Sequence, residues 1–249
     1  MGKIAVFARH GFDKSYAVAM HREAVELTGA AKPRVLLIGY ANGNDPLYEN
    51  AFTRLYQDDL GCEVMVLRVQ DKASPSEEEL GAVDRAQLIF LVGGANYSAV
   101  GYLKRANVAA RIVKAYQNGA VIAGEGTGAA FLFETGYAGC LDGVGMETPI
   151  TLTVQGLEFA RGMFCVGCDN EEVRERFTSA LLAGRYAGVG LSDGNALFID
   201  GDRYRCAAYE GAEGAYRFDN YEAYVELVNV FTGKPLRISR LYGQEAVMD

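Results

Sequence analysis

Residues 121–133, VIAGEGTGAAFLF, hold the densest candidate chemistry in the chain. An apolar run ends in Gly124-Glu125-Gly126-Thr127-Gly128 and passes into a helix-compatible run. That layout serves a phosphate cradle, a nucleophile elbow, or a tight turn without chemistry. The phosphate reading lacks its partners: no GK[S/T] is present, and no GxGxxG follows the first apolar run. An elbow needs glycine, any residue, a nucleophile, any residue, glycine. Its outer glycines let strand and helix pass closely, and its centre takes a strained, left-handed backbone. Gly124 to Gly128 fit the frame, but the centre is Gly126, which supplies no nucleophile.

Other reactive types stand around this stretch. A second glycine turn, VGGANYS, contains Gly93, Gly94, Asn96 and Tyr97 at the end of another apolar run. Thr127 is a candidate displaced nucleophile, although a hydroxyl there is expected to cap the following helix. Glu125 is either a base or ligand contact, or a hydrogen-bonded carboxylate. Cys165-Val166-Gly167-Cys168 has CxxC spacing. A structural zinc needs four nitrogen or sulfur ligands, whereas no second CxxC exists and the two histidines, His10 and His21, lie far upstream. No metal or cofactor is therefore expected. The cysteines read as packed thiols, with redox chemistry as the alternative, since a reactive thiol needs a lowered pKa. His10 follows the first apolar run at the expected ligand edge, and His21 falls inside a helical run as a structural residue. Tyr97 is a packing residue that can also line a pocket.

The elements that must position these groups alternate. KIAVFAR precedes an amphipathic stretch from Lys14 to about Leu27; PRVLLIGYA, CEVMVLRV, QLIFLVGG and AVIAGE are each followed by a helical pattern, one of them running from Ser98 to about Asn118. Near-continuous apolar strands between helices indicate a parallel sheet covered on both faces. Asp45-Pro46 fits N-cap and N1, and Ser74 with Glu77 fits a capping box. After Gly136 the rhythm becomes short β-like pieces, one more helix (NEEVRERFTSALLA), and a hairpin pattern turning at Asp200-Gly201. The expected architecture is one α/β domain over residues 1–249, doubly wound and mostly parallel, with a β-rich extension at about 220–249.

Composition narrows the partners. The chain has 249 residues, 50% hydrophobic and 22% charged, and a net charge of -8. Lys and Arg are scattered, so neither nucleic acid nor an acidic membrane surface is an expected partner. No apolar run reaches the roughly 20 residues of a membrane helix, and the N-terminal run lacks a small-residue cleavage site. A cytoplasmic location with reduced thiols is expected, the odd cysteine count arguing against a disulfide framework.

IFLVGGANYS followed by VIAGEGTGAAF resembles the dipeptidase E and cyanophycinase family of serine peptidases, which carry a GG-x-N turn and then a G-x-S-A-G-A elbow. RVLLIGYANGNDPLYENAFTRLYQDDLGCEVMVLRV is similar to that family's early strand-helix-strand unit, and AGVGLSDGNALFIDGD to its late segment. The resemblance covers most of the chain and implies the class I glutamine-amidotransferase-like fold. Carried over by position, the nucleophilic serine falls on Gly126, the histidine on Cys168 and the acidic member near Glu147. The turn that supplies oxyanion amides survives as Gly93 and Gly94, with Asn96 retained. The resemblance thus implies a homologue without serine-hydrolase activity, keeping a pocket at Gly93, Gly94, Asn96, Glu125, Gly126 and Thr127 for a peptide or amino-acid-like ligand. Its alternatives are a hydrolase of aspartyl dipeptides or polymers rewired around Thr127, Cys168, Glu147 or His10, and an assembly protein, with a homodimer as the candidate state.

Overall fold

Alternation within the first-half strands decides the layering of the fold. In the computed structural model, Lys3–Phe7 (β1), Arg34–Ile38 (β2), Glu63–Leu67 (β3), Leu88–Leu91 (β4) and Val121–Glu125 (β5) run parallel, side by side in the order β1-β5-β4-β2-β3. The structure describes residues 2–228 apart from 10, 13, 15, 70–73, 142–149, 185–186, 202, 210–213 and 219–224. Successive strand side chains point to opposite faces. Ile4, Val6, Leu36, Ile38, Ile89, Leu91 and Ile122 accordingly enter one core. Ala5, Phe7, Val35, Leu37, Leu88, Phe90 and Ala123 enter another.

Helices cover both faces, as the continuous apolar strands require. Ala17–Glu26 (α1) and Pro46–Thr53 (α2) bring Met20, Ala24 and Phe52 to the second core. Glu77–Arg85 (α3), Ala99–Arg105 (α4) and Val108–Gln117 (α5) bring Leu80, Leu103 and Ile112 to the first. Asp45 caps α2 by accepting from the Leu47 amide at 2.9 Å, with Pro46 in the first turn. The capping box of α3 is Ser76 with Glu79, both reciprocal bonds being formed. Ser74, the expected cap, stands before Pro75 outside the helix. The expected single helix from Ser98 to Asn118 is two, because Asn107 turns left-handed at φ 61°, a conformation asparagine tolerates.

Beyond β5 the chain makes one helical turn, Thr127–Ala130 (α6), and leaves the first sheet. Phe133–Leu141 (β6), Ile150–Gln155 (β7), Ala160–Val166 (β8), Gly188–Leu191 (β9), Ala215–Phe218 (β12) and Val225–Val228 (β13) form a second sheet in the order β13-β12-β9-β8-β6-β7. Glu171–Gly184 (α7) lies between β8 and β9 in sequence. Asn195–Asp200 (β10) and Arg203–Ala208 (β11) return as the expected hairpin and extend the first sheet antiparallel to β1, giving it seven strands. The antiparallel strands are therefore not confined to a C-terminal extension. The reason is burial on two sides: Phe133, Phe164 and Leu191 enter the first core, while Tyr137, Met163 and Cys165 pack with Phe177 and Leu181 of α7. Most of the expected extension at 220–249 lies outside the described residues. No described helix is long and apolar enough to cross a membrane.

Candidate active site

Three adjacent parallel strands deliver the candidate site. β4, β5 and β1 end side by side, and ligands of parallel α/β sheets bind beyond such carboxyl ends. Gly93 and Gly94 follow β4, Glu125 ends β5 and Gly126 succeeds it, and Arg9 follows β1. The Gly126 amide donates to the Phe7 carbonyl at 3.1 Å, tying the turn to β1.

Gly126 has φ 56° and ψ -121°. The positive φ agrees with an elbow, but the strongly negative ψ lies outside the left-handed helical region that was expected, and L-residues adopt it less readily. Packing explains Gly128 after the turn and Gly94 of the turn after β4. A Cβ on Gly128 would stand 2.1 Å from the Leu91 carbonyl oxygen, and one on Gly94 2.1 Å from that of Ala41. A Cβ on Gly126 would meet nothing nearer than Arg9 Cγ at 3.8 Å. The turn has space for a side chain and lacks one.

Two adjoining cavities flank the turn. The smaller, about 380 Å³, is walled by Arg9, Tyr48, Gly93, Gly94, Ala95, Tyr97, Glu125, Gly126 and Thr127. The larger, about 720 Å³, shares Arg9, Tyr97, Gly126 and Thr127 and runs on to Tyr137, Phe164, Val166, Gly167, Asp169, Asn170 and Arg176. Glu125 is buried and accepts a 2.5 Å hydrogen bond from the Tyr48 hydroxyl. Burial, then the neighbouring Glu125 charge and this bond, hold the Tyr48 phenol well above the usual tyrosine range, so it remains a donor. Arg9 pairs with Asp193 at 3.5 Å, and Arg176 with Glu172 at 2.8 Å. The amides of Gly93 and Gly94 find no acceptor among the described residues.

The structure brings together Gly93, Gly94, Glu125, Gly126 and Thr127, with Tyr97 at the mouth. It separates two expected members. Asn96 spends its side-chain oxygen on the Ser98 amide at 3.1 Å and lines neither cavity. Cys168 is fully buried in the cluster beneath α7, its hydrogen-bonded neighbour Cys165 having its thiol pushed well up by that bond and by burial. Val166, Gly167 and Asp169 line the larger cavity, whereas Cys168 between them does not. Glu147 and His10 lie outside the described residues. Thr127 does not cap α6, which has no side-chain cap, so its expected structural role is not filled. With four residues, α6 also sums few peptide dipoles, so its N-terminus attracts an anion only weakly. His21 is structural: buried, stacked on Phe7 and hydrogen-bonded to Tyr56 at 2.7 Å.

Sequence reasoning missed Arg9, Tyr48, Asp193 and Arg176. Arg9 carried a usable signal, since it follows β1 beside the residue that was considered. Tyr48 carried none, because only the packing of α2 brings it to Glu125.

The model of peptidase family S51 matches residues 10–207, from the end of β1 through β11. The chain belongs to peptidase family S51. It is 27% identical over 189 residues, 75% of this chain and 78% of the relative, to the uncharacterized peptidase YgaJ of Bacillus subtilis (strain 168). Its fold resembles the crystal structure of a peptidase from an acI-B1 Actinobacterium, with a TM-score of 0.71, 15% identity and 96% of each chain covered. A protein from Listeria monocytogenes EGD-e shares the fold at a TM-score of 0.60 and 17% identity, over 84% of this chain and 100% of that one.

Proposed function

We propose that this family S51 protein binds a peptide or amino-acid-like ligand in the two cavities and does not hydrolyse it by a serine mechanism. The single supporting observation is Gly126, an open elbow position with no oxygen or sulfur to attack a carbonyl. Covalent acyl transfer needs a nucleophile and a base that takes its proton. Losing a triad member removes about 10⁴- to 10⁶-fold of the rate, and Cys168, the position given to the histidine by resemblance, faces the core. The groups that hold rather than cut remain around the cavities: the Gly93 and Gly94 amides, the Glu125 carboxylate and the Thr127 hydroxyl.

One observation favours a second reading. Thr127 lines both cavities and makes no capping bond, which supports reading its hydroxyl as a displaced nucleophile. A mass-spectrometric assay with Asp-X and β-Asp-Arg dipeptides, run beside thermal denaturation with each, separates the two. Binding alone raises Tm in proportion to RT ln(1 + [L]/Kd) and leaves the dipeptides intact. Turnover abolished by Thr127→Ala establishes the rewired hydrolase instead. A stable oligomer indifferent to every dipeptide favours an assembly role.

A further inference from the structure

We infer that the larger cavity is a subsite for an apolar side chain of the ligand, of about leucine's size or above. This inference rests on the binding function proposed above and names the ligand chemistry of one half of the cleft.

The second sheet makes a hollow by setting small residues between large ones. Val154 of β7, Gly136 of β6 and Phe164 of β8 stand in one row across three adjacent strands. Residues paired in this way across a sheet share a face, and Val154 and Phe164 both enter the first core. Gly136 brings no side chain to the row. Ala130 of α6 covers it closely, since a Cβ on Gly136 would lie 2.5 Å from the Ala130 methyl. The face is therefore recessed between Val154 and Phe164. Alternation along β8 adds Val166 to the side of Phe164, while Met163 and Cys165 pack with α7. Ala130, Val154, Phe164 and Val166 all line the cavity of about 720 Å³.

Depth separates its apolar wall from its polar one. Phe164, Val154 and Ala130 are 0%, 3% and 6% exposed, so they line the cavity from its floor. Asp169, Asn170 and Glu172 line it from positions open to solvent. A hydrocarbon side chain seated on the floor gains by leaving water. An amide seated there loses hydration against hydrocarbon surfaces and is disfavoured. Gly126 and Thr127 line both cavities, so a ligand whose main chain lies at that turn can set one side chain on this floor.

Isothermal titration calorimetry on the full chain with two pairs of dipeptides tests this. Leu-Ala is compared with Asn-Ala, and Ala-Leu with Ala-Asn; leucine and asparagine have nearly the same shape and differ in polarity. In one pair leucine is expected to bind at least about tenfold more tightly, and that pair names the position whose side chain is seated. Val154→Thr and Val166→Thr each exchange a methyl of the wall for a hydroxyl. Each is expected to shrink the preference at least about threefold, because a seated leucine then strips water from the hydroxyl. Equal affinity within both pairs, or a preference for asparagine, overturns the apolar subsite and leaves the binding function standing. A preference unchanged in both variants overturns the assignment to this cavity. No binding by any of the four overturns both proposals. Should Val154→Thr not fold, Val166→Thr, at a half-buried position ending β8, decides the assignment alone.

Discussion

At Gly126 the conflict between space and backbone can be measured. A Cβ there has room, with its nearest neighbour at 3.8 Å, but the backbone sits at φ 56° and ψ -121°. Gly126→Ser is expected to fold and to lose about 1–3 kcal/mol, the cost of a non-glycine residue in such a region. Calorimetric scanning should place its Tm several degrees below wild type. Under the binding function proposed above, it is expected to leave dipeptides intact in the mass-spectrometric assay, since adding a hydroxyl does not supply a base. Gly94→Ala is expected to lose more stability than Gly126→Ser, because its Cβ would lie 2.1 Å from the Ala41 carbonyl oxygen. If the order of the two were reversed, the steric account of the glycine turn would be wrong. These glycines were legible as a frame in the sequence. Which of them answers to space and which to φ was not, because both depend on neighbours from β4 and from the turn after β2.

Among the elements, α2 is the one that couples the scaffold to the site. It begins with Asp45 capping and Pro46 in its first turn, and it presents Tyr48 to Glu125. Asp45→Ala is expected to destabilise the fold by about 1 kcal/mol through the lost cap, read as a shift of the urea midpoint. An unchanged midpoint would mean that tertiary packing alone fixes the start of α2. The cap itself was readable from Asp45-Pro46. The break between α4 and α5 was not, since a single Asn107 in left-handed geometry interrupts a run whose apolar spacing reads as continuous. The second sheet was likewise seen only as short β pieces. Local pattern identifies a strand but not the sheet it joins, and β10 and β12, separated by one hairpin arm, go to different sheets.

For the whole molecule, buried ionisable groups set the alkaline limit. Burial pushes the Cys206 thiol up from 9.0 to about 12, and Tyr56, wholly buried, is held well above the usual tyrosine range chiefly by burial. Both folded-state values are raised, so their contribution is complete below the unfolded pKa and is lost as pH rises toward the folded one. Above about pH 9 the unfolded thiol gives up its proton while the folded thiol keeps it, at about 1.4 kcal/mol per pH unit. Urea unfolding between pH 8 and pH 10.5 should show stability falling more steeply in the wild type than in Cys206→Ala. Parallel slopes would show that the thiol ionises equally in both states. The substitution also leaves a small void, which moves the whole curve but not its slope.

The sequence by itself determined the strand-helix alternation, the parallel first sheet, the elbow frame and the membership of this chain in a peptidase family, because these rest on spacing and residue type along the chain. Only the tertiary structure decided what surrounds the glycine turn at Gly126. It put Tyr48 on Glu125 across 77 positions, joined Arg9 to Asp193, sent Cys168 into the core beneath α7 and turned Asn96 onto its own loop. A side chain's direction is set by the face of the element that carries it and by what packs against that face. Neither is recorded in the order of residues until the two sheets close around the site.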